Sequence, residues 1–363
     1  MEQKPFIPPA LPPKIRYETL IPEIGNAHRE LGNLNGLLLS VPNPRLLIAP
    51  LLTKEAVFSS RIEGTVATIE DVFQYEAEGK ASEKSETEKD VREILNYREA
   101  VQAGMEDLRG KTIDTRFLLK LHAILLSSVR GAKKNPGAFR KTQVYIAPPG
   151  APISRATFIP PPPDRVADLL KEWQAYLNGA EKDPIVQTGI AHYQFEAIHP
   201  FTDGNGRIGR LLIPLSLYAR HLLSHPALYV SAFFEEHRSD YYACLHRVST
   251  EGAWEEWLRF FLRAVAGQSL ATQQTILKMV NYYDELKVRV SSLNSRYGLR
   301  LLDFLFANPK VSFVSIREHL HTGSNQTVYN LLAAFCKMGI LEEPEQRKRN
   351  RVYVFRRLLE LMA

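Results

Sequence analysis

His199-Pro-Phe-Thr-Asp-Gly-Asn-Gly-Arg-Ile-Gly-Arg210 is the stretch on which the reading of this chain turns. A helical pattern ends at His199-Pro200, and Asp203-Gly-Asn-Gly206 has the composition of a tight loop. Arg207 opens a second apolar-periodic run. The glycine-rich loop therefore stands at a helix N-terminus, where free backbone N–H groups and the helix dipole attract anions. Gly204 and Gly206 let the backbone approach a ligand closely. Arg207 and Arg210 lie three apart on the first turn, so both reach the same anion. Asp203 suits a hard cation such as Mg²⁺ held between phosphates. His199 is the one group of the run that takes a proton near neutral pH. Together these groups suit phosphoryl or nucleotidyl transfer.

The rest of the composition narrows the field. The chain has 363 residues, 45% hydrophobic and 24% charged. At about 150 residues per domain this predicts two to three domains and excludes wholesale disorder. Two cysteines, Cys244 and Cys336, exclude a disulfide scaffold and a cysteine-rich zinc module. They read as small buried hydrophobes of a reducing cytosol. The net charge is +6, but its location matters more. Residues 281–363 hold thirteen basic and eight acidic residues, a net of +5, against +1 for the first 280. That asymmetry predicts an anion-binding module at the C-terminal end of a near-neutral body. No stretch reaches the roughly 18 uncharged apolar residues of a membrane helix. The opening MEQKPFIPPALPPK is proline-rich and lacks a signal-peptide core. The expectation is a cytoplasmic protein with no membrane segment.

Working outward, residues 1–22 read as an extended arm, since proline fixes φ and cannot donate into a ladder. Helices are predicted over 27–40, 51–64, 87–108, 116–129, 164–178, 185–198, 206–222, 239–249 and 254–265. Gly64 is the C-terminal stop of the second, and the charged 78–90 is a loop leading into the third. Gln143–Ile146 and Thr157–Ile159, separated by Pro148-Pro-Gly-Ala-Pro152, predict a small β-hairpin. A long polar-faced stretch, 267–294, predicts a connecting helix. His192, two turns before His199, reads as a satisfied core histidine rather than half of a metal pair.

The motif HPFTDGNGRIGR resembles the signature of the Fic (filamentation induced by cAMP) family, His-x-Phe-x-Asp/Glu-Gly-Asn-Gly-Arg-x-x-Arg, at every defined position. The preceding AHYQFEAIHPF resembles the helix that leads into that signature, and the likeness extends over roughly 40–265. The resemblance implies a protein adenylyltransferase that moves AMP from ATP to a Ser, Thr or Tyr hydroxyl of a target protein. By this likeness His199 is the general base and Asp203 binds Mg²⁺. Gly204, Asn205 and Gly206 form the hole for the α- and β-phosphates. Arg207 contacts the phosphates, with Ile208 and Gly209 beside it, and Arg210 takes the γ-phosphate. Phe201 only anchors the loop.

GAFRKTQVYI resembles the family's flap, on which a target peptide docks by strand addition across 141–159. Ile146, Ala147, Pro148 and Pro149 then lie near the nucleotide. His237-Arg-Ser-Asp-Tyr-Tyr242 resembles the adenine side of the pocket in relatives, although those often carry Asn where His237 stands. Tyr241 and Tyr242 are either pocket-lining or core aromatics. Ser59-Ser-Arg-Ile-Glu63-Gly64 resembles the family's inhibitory motif, in the N-terminal position of its second class. There Glu63 pairs with Arg210 and displaces the γ-phosphate. A carboxylate forked onto Arg210 competes directly for the same donors. The same glutamate positions a water for AMP removal in some relatives, which leaves that activity as an alternative.

The pattern of 296–363 is helix, helix, turn, helix and two strands around a basic tip, the order of a winged helix-turn-helix. Ser324, Asn325, Thr327 and Asn330 fall at the exposed start of its third helix, and Arg347-Lys-Arg-Asn-Arg351 at the tip. A DNA-binding regulator acting through 315–351 is the alternative reading; winged helices also dock proteins and form dimers. The fold class expected is mainly α: a Fic-type helical core with a β-hairpin flap, then a winged helix. The expected boundaries are an arm and inhibitory region over 1–110, a catalytic core over 111–266, a connecting helix over 267–294 and the winged helix over 295–363. A homodimer is a further expectation from the family.

Overall fold

The computed structural model describes residues 4–78, 86–127, 134–148, 150–343 and 351–362. The arm is extended to Arg16, and α1 (Ile21–Ser40) then begins on Pro22 in its first turn. Ala27, Leu31, Leu34 and Leu38 form a stripe at spacings of four and three. That stripe is buried against α11 (Trp254–Ser291). The sequence predicted two helices where α11 runs unbroken for 38 residues. Gly267 has open space around it, and the buried positions continue through Ser269, Thr272, Ile276, Met279, Leu286 and Val290. The expected boundary at 266 therefore falls inside one helix.

Helix α2 (Pro44–Ile62) starts seven residues before the expected Leu51, with Pro44 at its first position and Pro50 inside it. It ends as expected: Glu63 is the C-cap and Gly64 follows at φ 99°. α3 (Ile69–Glu78) was not anticipated. α4 (Glu86–Asp107), α5 (Thr115–Leu125) and α6 (Val166–Asn178) lie where helices were expected. Two helices form the centre of the molecule. α7 (Pro184–Ile198) is capped by Asp183, whose side chain accepts from the N–H groups of Ile185 and Val186 at 2.9 Å. All but two of its residues are buried, the mark of a helix covered on every side. α8 (Asn205–Ala219) packs on α7 and is almost as enclosed. α9 (Ser231–Glu236) and α10 (Arg238–Glu251) complete the core.

The expected flap hairpin is reduced to one bridge. Ile146 donates to Phe158 O at 2.8 Å and accepts from Thr157 N at 2.7 Å. The prolines at 148 and 152 remove donors from the intervening chain, so a ladder cannot extend. Phe6 of the arm donates to Ile159 O at 2.8 Å, laying the arm beside the flap.

The C-terminal unit comprises α12 (Gly298–Ala307), β1 (Lys310–Ser312), α13 (Phe313–Leu320), α14 (Asn325–Lys337), β2 (Val352–Val354) and α15 (Arg356–Met362). β1 and β2 pair antiparallel, Val311 opposite Tyr353. The sequence placed both strands after the third helix. Instead the first precedes α13, and the 341–343 arm contributes only a bridge from Glu342 to Val354. Residues 347–350 of the expected wing tip lie outside the described residues. The unit is not detached from the body: α12 packs on α2, and Lys54 Nζ donates to Met362 O at 2.6 Å. Glu70 of α3 takes Lys310 at 3.1 Å and Arg356 at 3.2 Å. Among the described residues no helix is long and apolar enough to cross a membrane.

Candidate active site

The predicted loop is where two central helices meet. α7 stops at His199, whose φ of 50° and ψ of 60° turn the chain out of the helix. His199 N still donates to Phe195 O at 3.0 Å. Gly204 caps α8 at φ 80°, a conformation few side chains adopt. α8 starts at Asn205, one residue earlier than the predicted 206, so the N–H groups of Asn205, Gly206 and Arg207 belong to its unsatisfied first turn. Asn205 spends its side chain on the loop itself. Its Oδ1 accepts from Phe201 N at 2.8 Å, and its Nδ2 donates to Phe201 O at 2.9 Å. Phe201 is fully buried, stacked on the His122 ring at 3.7 Å between centroids.

His199 Nδ1 lies 3.3 Å from Glu196 O. A carbonyl only accepts, so Nδ1 carries the proton and Nε2 keeps its lone pair. Burial is the main cause that pulls the imidazole's pKa down to about 4. The Glu196 carbonyl opposes it, the Arg140 charge adds to it, and Glu63 and Asp203 oppose it. His199 is therefore neutral at pH 7, as a base must be.

Arg207 is 5% exposed and Arg210 is 1% exposed. Arg207 donates from Nη1 to Glu93 Oε2 at 2.9 Å and from Nη2 to Asp203 Oδ1 at 3.2 Å. Its Nε is buried and has no partner. Arg210 donates from Nε to Ser59 Oγ at 2.9 Å, and from Nη2 to Ser59 O at 2.9 Å and Glu63 Oε1 at 2.6 Å. Burial disfavours the Glu63 charge, but Arg210 and, further off, Arg207 outweigh it and hold the carboxyl below its usual range. A Cβ on Gly206 would sit 2.3 Å from Glu63 Oε1, so only glycine allows the carboxylate this close to the start of α8. Arg238 fixes the end of α2, next to Glu63, by donating to Ile62 O at 2.5 Å.

The remaining predicted positions separate. Ile208 points into the core. Gly209 offers its carbonyl to His192 Nδ1 at 3.1 Å. His192 Nε2 pairs with Tyr241 OH at 2.9 Å, so His192 is the satisfied core histidine expected and Tyr241 a core aromatic. Tyr242 is 46% exposed. His237 stacks on Phe233 at 4.2 Å and bonds Phe233 O at 3.0 Å through Nδ1. Ile146 and Pro148 are exposed and Ala147 is half-buried, while Pro149 lies outside the described residues. Asp203 keeps a 38% exposed side chain with one oxygen on Arg207. No cluster of three metal-ligating side chains exists among the described residues. One open carboxylate does suit Mg²⁺, which takes one or two protein ligands and fills its shell from phosphates and water.

Sequence reasoning passed over three side chains of this site. Glu93 of α4, buried beside Asp90, Val91, Ile94 and Tyr97, meets Arg207 from more than a hundred residues away. His122 of α5 faces Asp203 O through Nε2 and accepts from Gly137 N through Nδ1, both at 3.0 Å. Arg140 bonds the carbonyl of His199. A charged residue on an otherwise buried helix face was the available signal for Glu93.

Comparison with known proteins agrees with the resemblance. The family model described as Fic/DOC family N-terminal matches residues 21–106, and the Fic/DOC family model matches residues 112–217. Over 160 residues the chain is 35% identical to protein adenylyltransferase fic-1 of Caenorhabditis elegans, covering 43% of this chain and 27% of that protein. Over 151 residues it is 32% identical to protein adenylyltransferase Fic of Culex quinquefasciatus, covering 41% and 27%. The matched region is thus about a quarter of those relatives' length. Among solved structures, a Fic family protein from Desulfovibrio desulfuricans G20 superposes with a TM-score of 0.58 at 24% identity, covering 96% of this chain and 98% of that one. Fic-1 from C. elegans gives 0.54 at 23%, covering 73% and 76%.

Proposed function

The chain belongs to the Fic/DOC family, and we propose from its site that it transfers AMP from ATP to a hydroxyl of a target protein, with Glu63 as a built-in brake. The observation that carries this reading is the Arg210 guanidinium. It is buried at the start of α8 and held by Glu63 at 2.6 Å, where a terminal phosphate would otherwise bind. The unpartnered Nε of Arg207 is a second donor available to that anion.

In the active state the phosphates lie along the first turn of α8, and Arg210 exchanges Glu63 for the γ-phosphate. The neutral His199 Nε2 takes the proton of the attacking Ser, Thr or Tyr hydroxyl. The hydroxyl oxygen bonds the α-phosphorus, the bond from that phosphorus to the bridging oxygen breaks, and pyrophosphate leaves with that oxygen. Mg²⁺, held by Asp203, would neutralise phosphate charge. The target peptide lies along the flap, whose exposed Tyr145 and Ile146 offer an unextended strand edge. With Glu63 in place ATP still binds but is misaligned for in-line attack.

The test is Glu63→Gly with labelled ATP and Mg²⁺ in a lysate. Label on protein should rise well above wild type and vanish on adding His199→Ala. No rise removes the brake from the account, and label that persists without His199 removes the base. A second reading rests on α14: Asn325, Gln326 and Asn330 are exposed on its first turns, the face a winged helix offers to DNA. A gel shift at low salt tests it, and no shift there discards it.

A further inference from the structure

Arg140 lies outside the signature, at the base of the flap, and is 3% exposed. Its backbone N–H donates to Pro200 O at 3.0 Å. Its guanidinium donates from Nε to His199 O at 2.8 Å, from Nη2 to Pro161 O at 2.5 Å and Ile198 O at 3.4 Å, and from Nη1 to Thr142 O at 3.4 Å. Thr142 stands on the first arm of the flap and Pro161 just beyond the second. Ile198, His199 and Pro200 are the end of α7 and the turn out of it. One side chain thus joins both roots of the flap to the backbone of the base.

All of these partners are main-chain carbonyls. A buried guanidinium satisfied only by dipoles is costly, and burial brings its pKa down to about 10. A peg that merely closed the flap could be an uncharged donor. The charge has a use beside His199: it sits at the C-terminal end of α7, where carbonyls attract a cation, and it opposes protonation of the imidazole. It also meets the carbonyl of a residue in the left-handed region, where the chain turns out of α7. A second fastening lies three residues away. His122 takes Gly137 N on one ring nitrogen and gives the other to Asp203 O, while its face covers Phe201. The segment 137–140 is therefore fixed to the signature loop at both ends.

We propose that Arg140 is the positioning residue of His199, holding the base's backbone in its left-handed turn and linking its orientation to the flap that carries the target. This rests on the transfer reaction proposed above. The charged groups that face His199 are Glu63 from α2, Asp203 from the signature loop and Arg140 from the flap base, with the Glu196 carbonyl on its own helix.

The experiment compares Arg140→Met and Arg140→Lys in the Glu63→Gly background. Arg140→Met should lower kcat about a hundredfold, the scale of a small misplacement of a reacting group. It should leave KM for ATP within about twofold, because the cradle on α8 is untouched. The acid limb of its kcat profile should move to higher pH, since removing a nearby positive charge lets the imidazole protonate more easily. Arg140→Lys keeps the charge but loses the fork, so its acid limb should stay put and its kcat should fall between the two. Loss of activity in both variants with an unmoved acid limb, or a rise in KM for ATP matching the fall in kcat, overturns the proposal. A measurement without turnover separates this from the reaction itself: NMR titration of the His199 ring in wild type, Arg140→Lys and Arg140→Met. If Glu63→Gly transfers no AMP, the reaction reading fails, and the proposal still stands or falls on whether the His199 titration moves upward in Arg140→Met alone. Should Arg140→Met not fold, the Arg140→Lys ring signal decides: an unchanged titration with a displaced resonance supports positioning, and an unchanged resonance overturns it.

Discussion

Arg207 and Arg210 at the start of α8 are almost entirely withdrawn from water, whereas Arg296, Arg300, Arg317 and Lys337 of the C-terminal unit are exposed. Each buried arginine is matched to a carboxylate, Glu93 and Glu63 respectively, at 2.9 and 2.6 Å. The exposed ones lie in water, Arg296 and Arg300 over the Tyr297 ring at 4.6 and 6.0 Å. A desolvated cation must keep a partner at all times, so on the proposed reading a phosphate arriving at α8 would exchange with a resident acid. A solvated cation gains little from any single pair and matters only in numbers, toward a polyanion. The net of +5 at the C-terminal end therefore lies away from the proposed chemistry, and the near-neutral body holds the two buried arginines.

The largest effect that sharpens this contrast is at Arg207. Arg207→Ala leaves the Glu93 carboxylate buried without its arginine, and breaking one side of a buried pair costs about 3–5 kcal/mol. Arg317→Ala, on the exposed side, should stay within about 0.5 kcal/mol. Urea denaturation of the two variants measures both. Similar losses in the two would show that burial does not separate the regions.

A smaller effect is expected at Glu63, the proposed brake. The folded state holds the Glu63 carboxyl below its ordinary range, so the interaction stabilises the fold above the unfolded pKa near 4.5 and is lost as pH falls through the depressed value. Glu63→Gly should therefore be less stable than wild type at pH 7 by about 1–2 kcal/mol, the scale of a charge-assisted hydrogen bond to a partly open carboxylate. The gap should close as the pH falls below 4.5 and through the depressed value. Thermal melts across pH read it directly, and a gap that stays constant places the loss in the glycine backbone rather than in the ion pair.

Much of this site was legible because its parts are local. The signature loop lies in one run, and Ser59 and Glu63 stand one helical turn apart, so spacing alone put them on one face. The acids and bases that complete the site were not legible, because Glu93, His122 and Arg140 reach the loop across 114, 81 and 59 residues of chain. The errors of fold have local causes. The expected division between 254–265 and 267–294 is overridden by the continuing apolar stripe of α11. β1 is three residues long, too short for alternation to show. The flap has strand-forming residues, but its prolines leave room for a single bridge.

The smallest effect concerns the seam between the two regions. Glu70, 49% exposed on its side chain, takes Lys310 and Arg356 from the C-terminal unit. Beneath it, α12 and α15 pack on α2, the helix that carries Glu63. Leu301, Leu302 and Leu305 of α12 are buried on this side of the unit or within it. If solvated charge is weak here as at Lys337 of α14, cutting the 42% exposed Arg356 from Glu70 by Arg356→Gln should cost under about 1 kcal/mol, and that loss should fade as salt is raised toward 1 M. The apolar contact of α2 with α12 would then hold the unit in place. Melting curves at low and high salt compare the two contributions. A loss of several kcal/mol that salt does not reduce would make Glu70 a buried anchor like Glu93, and the C-terminal unit would then be tied to the brake helix by the kind of pairing that holds Arg207.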